Sequence, residues 1–295
     1  MGKTKQGQHG RKRRAVSPVI STLIISAAIL TVTVIASFLS LNMLELRSQQ
    51  TEFSQASSNM QILSEIIEDT GVKPGAGSFI RFNVRTGGLG YETNPGKTLS
   101  LVILGNGGAA RNITSLTSNP LNVTYRAGRL VSTFDEAVSK LNNLEYNQIN
   151  GTNTLIIPGL ASPMGLLTQR QENGAFLRLD FNRIRIVNSS LVNVGNDQYQ
   201  LFTVTFFNVY VKPNSFYGSS NLEVKVQNNG SSTFKQYTYF SNSTVNIIAT
   251  YDESIWISPG ICEEAQGCFS IPVNNSIKGV IVMVVISDLD LSTLG

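Results

Sequence analysis

The sequence predicts an α+β protein in which a long hydrophobic N-terminal α-helix precedes a mostly antiparallel β-sandwich head. Residues 15–44 contain no charged side chain, and a helical apolar pattern continues from there to about residue 70. Beyond the helix the hydrophobic period changes to two residues, which is typical of strands. We therefore divide the 295 residues into a basic leader (1–14), an N-terminal helix (15–70) and a β-rich head (76–295).

The charge of the chain is low and unevenly distributed. Charged residues make up 14% of the sequence, compared with about 25% in an average soluble domain. The leader holds six of the 23 basic residues and no acid, so the remaining 17 basic and 19 acidic residues give a net charge of −2. The basic isoelectric point therefore belongs to the leader, and the weakly charged remainder is typical of exported proteins.

Nothing after the apolar run forms the basic patch that a nucleic-acid-binding domain needs. The nearest approach is the group Arg178, Arg183 and Arg185, but Asp180 lies among them. We interpret these side chains as the solvated face of a strand, and we expect no nucleic-acid partner.

The N-terminal helix begins with a segment that can cross a membrane. Arg11-Lys12-Arg13-Arg14 is followed by thirty residues without charge, and about 20 apolar residues in helical form span a bilayer. The run is longer than the roughly 7–15 residues of a secretory signal core. Pro18 suits the first helical turn, and Ser17 suits the N-cap position. Two interpretations of residues 1–14 stay open, a retained cytoplasmic tail and a removable leader. Both place the C-terminal part of the chain outside the cell.

The second half of the helix is amphipathic. Apolar or small side chains recur at a spacing of three or four, interrupted by Gln49, and form one stripe. They are Leu46, Phe53, Ala56, Met60, Leu63 and Ile67. The polar side chains between them predict a water-facing side and are Ser48, Gln50, Glu52, Ser54, Gln55, Ser58, Asn59 and Gln61. Gly71 as a C-cap and Pro74 after it end the helix, and we expect the stripe to pack against the head.

Many short strands separated by turn residues predict the sandwich. The predicted strands cover residues 78–84, 97–104, 126–134, 153–158, 176–187, 198–212, 222–227, 233–240, 245–251 and 277–286. The parity of strand 176–187 shifts as at a bulge, and Asn228-Asn229-Gly230 predicts a hairpin turn. Residues 277–286 are nearly all apolar, which predicts a central strand buried on both faces. A short amphipathic helix is expected over residues 135–146.

The residue types needed for common catalytic sites are scarce. The one histidine, His9, lies in the leader, so the head offers no histidine triad or histidine base. Three acidic pairs could hold calcium or be solvated loop charge, and they are Asp252/Glu253, Glu263/Glu264 and Asp288/Asp290. Trp256 suits either a ligand surface or the core. We expect no catalytic residue, no cofactor and no metal site.

Two further features suit an exported domain. Cys262 and Cys268 are spaced too widely for a catalytic CxxC pair and predict a disulfide that closes a small loop, with two reduced thiols as the alternative. The candidate Asn-X-Ser/Thr glycosylation acceptors all follow residue 44. They are Asn112, Asn122, Asn150, Asn188, Asn229, Asn242 and Asn274.

The N-terminus resembles that of archaeal type IV pilins and related pilin-like proteins. The resemblance lies in Arg13-Arg14-Ala15-Val16-Ser17-Pro18-Val19-Ile20 and the long apolar helix that follows, about a quarter of the chain. It implies a class III signal peptide, which a prepilin-peptidase-like enzyme would cut between Arg14 and Ala15. Bacterial pilins carry a glutamate five residues into the mature helix, where this chain has Val19, as is usual for the archaeal group.

The resemblance also implies a location and a set of partners. The precursor would lie in the plasma membrane, and the mature subunit would join an extracellular filament through its helix, with copies of itself or related pilins and with the pilus assembly machinery. The first hypothesis is therefore a filament subunit used in adhesion. The second is a monomeric single-pass surface protein with a ligand-binding β-sandwich ectodomain, and the third is an ectodomain glycan hydrolase, which needs two carboxylates in a cleft.

Overall fold

The computed structural model describes residues 18–93, 96–105, 112–117, 119–138, 155–212, 221–240, 244–250, 267–271 and 277–294. The chain divides into two compact units, residues 1–48 and 49–295. Helix α1, Pro18–Gly71, runs through the end of the first unit and the start of the second. Its extent confirms the predicted long helix, whereas Ser17 and the leader lie outside the described residues.

The second unit is mostly β structure, which confirms the α+β class. Its strands are β1 (Gly77–Asn83), β2 (Gly88–Thr93), β3 (Leu99–Gly105), β4 (Asn112–Thr117), β5 (Leu121–Arg126), β6 (Glu136–Ala137), β7 (Ile156–Pro158), β8 (Leu166–Gln171), β9 (Ala175–Asp180), β10 (Ile184–Val194), β11 (Asp197–Val211), β12 (Asn221–Phe240), β13 (Val245–Thr250), β14 (Gly267–Ile271) and β15 (Gly279–Leu294).

The described strands form three sheets. A six-stranded sheet has the order β1-β12-β15-β11-β10-β7, a four-stranded sheet the order β14-β13-β3-β4, and a five-stranded sheet the order β2-β5-β9-β8-β6. Most pairings are antiparallel, but β15 runs parallel to β11 and β10 runs parallel to β7. The apolar run that predicted a central strand is β15, which lies between β12 and β11 and extends to Leu294.

Two different hydrophobic clusters cover opposite faces of the six-stranded sheet, one toward each end of the strands β11 and β15. The adjacent residues Phe206 and Phe207 of β11 belong to different hydrophobic clusters, and so do Val284 and Leu289 of β15. Because successive side chains of a strand alternate between faces, the two clusters lie on opposite sides of the sheet. The cluster of Phe206 includes side chains of the four-stranded sheet, and that of Phe207 includes side chains of the five-stranded sheet and of α1.

The parity shift in residues 176–187 marks a change of sheet, so the predicted bulge is wrong. β9 belongs to the five-stranded sheet and β10 to the six-stranded sheet. Asn182, which lies between the two strands, is hydrogen-bonded to the backbone of Leu121. Its Oδ1 accepts from the Leu121 N–H at 3.2 Å, and its Nδ2 donates to the Leu121 carbonyl at 3.0 Å.

Three other local predictions are also wrong. Asn228-Asn229-Gly230 does not form a hairpin, since β12 continues through it with a register shift between Asn228 and Ser232. Residues 136–137 are an edge strand paired with Thr168 and Gln169, so the helix predicted over 135–146 does not begin there, and residues 139–154 lie outside the described part. The strand expected over 126–134 lies earlier in the sequence, as β5, in which Val123 and Tyr125 belong to the hydrophobic core.

Candidate functional site

The first part of α1 presents an apolar surface that the protein does not cover. Among the described residues, α1 is the one helix that is long enough and apolar enough to cross a membrane. Its most apolar stretch has a mean hydropathy of 2.5 and is 0% buried. We call residues 18–44 the apolar segment. Its large hydrophobic side chains are 54–68% exposed, and it contains no charged residue.

Six of the seven hydroxyl groups of the apolar segment donate hydrogen bonds within the helix. Six Ser and Thr side chains each donate to a backbone carbonyl three or four residues earlier, at 2.7–2.9 Å. They are Thr22, Ser26, Thr31, Thr33, Ser37 and Ser40. An unpaired donor is costly in an apolar environment, so this bonding makes the segment compatible with lipid or with close apolar neighbours.

The second part of α1 is built into the core of the second unit. Ala56, Met60, Leu63 and Ile67 are at most 5% exposed and belong to the cluster that contains Phe207. This confirms the predicted apolar stripe. At about 25 cal/mol per Å² of buried apolar surface, a side chain such as Leu63 contributes roughly 1.5–3 kcal/mol.

Glu52 is the exception to the predicted water-facing side of the helix, because it is only 8% exposed. Its carboxylate accepts hydrogen bonds from the backbone N–H groups of Arg85, Thr86 and Gly87 at 2.9–3.1 Å. It also accepts from the Thr86 hydroxyl at 2.8 Å and the Tyr125 hydroxyl at 2.9 Å. A buried charge is tolerated when it is fully hydrogen-bonded, so Glu52 ties the helix to the turn between β1 and β2.

Hydrogen bonds favour the ionised form of the Glu52 carboxyl group. Burial disfavours the charged form of Glu52, but hydrogen bonds from the Thr86 side chain, from the Gly87 and Thr86 backbone and from Tyr125 outweigh it and lower its pKa. Burial and the neighbouring carboxylate raise the pKa of Tyr125, which therefore stays protonated as a donor. We call Glu52, Thr86 and Tyr125 the carboxylate latch.

One turn earlier, Gln49 makes a second polar contact. Its side chain is 8% exposed, and its Oε1 accepts from the Leu130 N–H at 3.1 Å. Gly128 is required beside it, because a Cβ there would lie 2.7 Å from Gln49 Cδ. Gln49 and Glu52 both hold helix positions that repeat the spacing of the apolar stripe. That spacing is a signal for the inner face of the helix, but it does not name the partners that make burial of polar groups possible.

Glu68 makes an ion pair near the end of the helix. Its Oε2 lies 3.0 Å from Arg185 Nη2, and its Oε1 accepts from the Met164 N–H at 2.5 Å. Arg183, only 3% exposed, pairs with Asp180 at 3.3 Å. The interpretation of Arg183 and Arg185 as a solvated face is therefore wrong, since both guanidinium groups form ion pairs with carboxylates inside the protein.

Asn228 caps the C-terminus of α1. Its Nδ2 donates to the carbonyls of Thr70 at 3.0 Å and Gly71 at 3.2 Å, and the residue is 1% exposed. The last carbonyls of a helix lack partners within the helix, so a bulge in β12 supplies the donor. Gly71 serves close packing rather than a left-handed cap, since a Cβ on it would lie 2.6 Å from Phe207 Cδ1, and the positive φ of 77° occurs at Gly75.

Replacing Asn228 by aspartate is expected to lower the free energy of unfolding by about 2 kcal/mol, since it removes a donor and places a negative charge at a helix C-terminus. The matched control is Asn229→Asp, because Asn229 is the exposed neighbour and should change stability by less than about 0.5 kcal/mol. Urea denaturation of unglycosylated protein in detergent, followed by circular dichroism, measures both. Equal stability of the two variants would contradict the capping role.

The sites predicted from single residues are only partly within the described chain. The cleavage residues Arg14 and Ala15 lie outside it, as does Cys262, so the processing and the disulfide with Cys268 in β14 stay predictions. Of the glycosylation acceptors, Asn188 and Asn229 are exposed, and Asn112 lies in β4. Asn122 is 1% exposed in β5, so a glycan on it is incompatible with this fold. Outside the described residues are Asn150, Asn242 and Asn274.

The described acidic side chains do not gather into a metal site. Within the part of the chain that the structure describes, no group of three or more His, Cys, Asp or Glu side chains is placed to hold an ion. Asp290 pairs with Lys212 at 3.4 Å, and Asp288 accepts from Asn208 at 3.0 Å. The other two acidic pairs and Trp256 lie outside the described residues.

Comparison with known proteins adds no assignment. No protein-family model, no curated protein and no solved structure matches the chain. The helix, its contacts and the surface of the head are therefore the features that indicate a function.

Proposed function

We propose that the chain is a structural subunit of an archaeal type IV pilus-like surface filament that serves in adhesion. A prepilin-peptidase-like enzyme cuts the Arg14–Ala15 bond of the membrane-held precursor. The mature subunit then assembles outside the cell through its apolar segment, with copies of itself or related pilins. The head, a β-sandwich of pilin type, forms the filament surface.

One observation carries this proposal: a single continuous helix joins an exposed, uncharged apolar segment to a half that is buried in the head. Fifteen large apolar side chains of the segment are exposed, and such a surface is stable only in lipid or against other apolar surfaces. In a filament, copies of the segment replace lipid, so a subunit leaves the membrane without exposing that surface to water.

The polar contacts of the second half of α1 support the same function. A filament subunit needs its helix held firmly in its head, because the helices carry the load between subunits. The carboxylate latch, the Glu68–Arg185 pair and the Asn228 cap act at three levels along residues 49–71. Together with the apolar stripe they make this part of the helix a core element of the head.

The mature N-terminus tests the proposal most directly. We expect mass spectrometry of protein from the cell surface to find Ala15 as the first residue, because the basic leader cannot enter an apolar helix bundle. Arg14→Ala in the same strain is expected to reduce processing, and Lys3→Ala, at a distant basic residue of the leader, serves as its control. Surface-exposed protein that retains residues 1–14 would overturn the proposal.

A second function, a monomeric single-pass anchor with a ligand-binding ectodomain, is equally compatible with the internal bonding of the six hydroxyl groups. That bonding suits a helix surrounded only by lipid as well as one in a bundle. Shearing of intact cells separates the two functions, because a filament subunit sediments with released fibres and an anchored monomer stays with the membranes.

A further inference from the structure

The head carries a cavity whose lining is chemically mixed. It has a volume of about 400 Å³ and lies among β2, β4, β5 and β11. Its lining includes four aliphatic residues of β4, β5 and β11, together with Tyr91 and Tyr210. Hydroxyl and amide groups complete the lining and belong to Thr93, Ser115, Thr117 and Asn119. We call it the tyrosine pocket.

This composition is that of a small-molecule site. Ligand pockets combine apolar and aromatic walls with a few polar groups, at volumes of roughly 300–1,000 Å³. A larger cavity of about 780 Å³ beside α1 and β1 fits that description less well, because Leu222 is the one apolar side chain in its described lining. The tyrosine pocket is therefore the better candidate, although it is smaller.

The ring of Tyr210 is held by its neighbours in β11 and β15. Asn208 Nδ2 donates to the Tyr210 hydroxyl and also, at 3.0 Å, to Asp288 Oδ1. The phenol oxygen thus accepts a hydrogen bond inside the protein. Burial and the carboxylates of Asp288 and Asp290 raise the pKa of Tyr210, so the phenol is neutral at physiological pH. Tyr210 is 49% exposed and lines the pocket, so its side chain is accessible to a ligand.

We propose that the tyrosine pocket binds a neutral saccharide. The two rings offer surfaces against which the C–H faces of a sugar can stack, and the surrounding groups both donate and accept hydrogen bonds, as sugar hydroxyls do. The lining carries no charged side chain. This inference goes beyond filament assembly and does not depend on it, because the pocket belongs entirely to residues 91–211.

The surroundings repel an anion, and the described lining holds no carboxylate for a cation. The carboxylates of Asp288 and Asp290 act on the Tyr210 phenol as negative charges and therefore disfavour an anionic ligand. A cationic ligand would need a free carboxylate or a cage of aromatic faces. Asp290 is instead paired with Lys212, and Asp288 is bonded to Asn208.

Saturation-transfer-difference NMR on the full chain tests the proposal. The protein is held in a polyoxyethylene detergent, which contains neither sugar nor ammonium groups. The probes are maltose, lactose and N,N′-diacetylchitobiose, with glucuronate and choline as the charged alternatives. We expect at least one neutral disaccharide to receive saturation through its ring protons, and Tyr210→Ala to weaken its binding about tenfold.

Two further variants make the outcome decisive. Tyr210→Phe keeps the ring and should weaken binding less than Tyr210→Ala, which separates loss of the hydroxyl from loss of stacking. Phe240→Ala is the matched control, because Phe240 is an exposed aromatic on β12 outside the pocket, and it should leave binding unchanged. Preference for choline or glucuronate, an absence of signal from all three disaccharides, or equal binding by Tyr210→Ala would overturn the proposal. The readout uses unassembled protein, so failure of the filament proposal would leave it unaffected.

Discussion

Replacing Glu52 by glutamine is expected to lower the free energy of unfolding of the head by about 3 kcal/mol. The neutral amide retains one acceptor oxygen, but its NH₂ group then replaces Oε2, which now accepts from the Thr86 N–H and hydroxyl. The Thr86 N–H keeps only the Oε1 position as an acceptor, and every donor around the group loses a charged acceptor. Urea denaturation in detergent, followed by circular dichroism, gives the difference from the wild type.

Glu65→Gln is the matched control, because Glu65 lies on the exposed side of the same helix and should change stability by less than about 0.5 kcal/mol. The pH dependence provides an independent readout. Since folding lowers the pKa of Glu52, its stabilising contribution is present above the ordinary value of 4.5 and is lost as the pH falls below that value through the folded pKa. The wild type should therefore lose more stability in acid than Glu52→Gln. Parallel pH profiles would contradict the carboxylate latch.

Placing a charge in the middle of the apolar segment is expected to abolish its assembly without unfolding the head. Leu30 is 67% exposed near the centre of residues 18–44, and an aspartate at a helix centre costs about 2.5–3.5 kcal/mol in an apolar medium. For Leu30→Asp we expect the amount of protein in the sheared filament fraction to fall about a hundredfold. Quantitative immunoblotting of sheared and membrane fractions measures this loss.

Leu30→Met is the control for that substitution, because it keeps an apolar side chain of similar volume and should assemble normally. The free energy of unfolding of the head in detergent should be the same for both variants, since the side chain of Leu30 is exposed. Normal filament yield from Leu30→Asp would show that the segment is not the assembly surface.

The long helix and the core strands followed from local patterns. The period of 3.6 residues located Ala56, Met60, Leu63 and Ile67, because a helix buries the same face at every turn. The apolar run of β15 predicted a central strand, and β15 lies between β12 and β11. The expected burial on both faces is only partial, because Met283 and Val285 are half-buried. In both cases the burial of a residue depends on neighbours a few positions away in the chain.

The failures occurred where distant partners decide the outcome. Glu52 looked solvent-exposed, because its donors lie more than thirty residues away. Asn228 looked like a turn residue, but it caps a helix 157 residues away. Arg185 looked solvated for the same reason, since its partner is Glu68.

The sequence by itself therefore determined the α+β order, the apolar segment and the stripe of the second half of α1, because these depend on composition and period. Only the tertiary structure decided which polar groups are buried, where residues 176–187 change sheets and that β11 and β15 pair in parallel. All three depend on partners that are distant in the chain. Hydrophobic burial follows a repeating pattern along the chain, whereas a buried polar group is stable only when a specific partner, set by the fold, satisfies it.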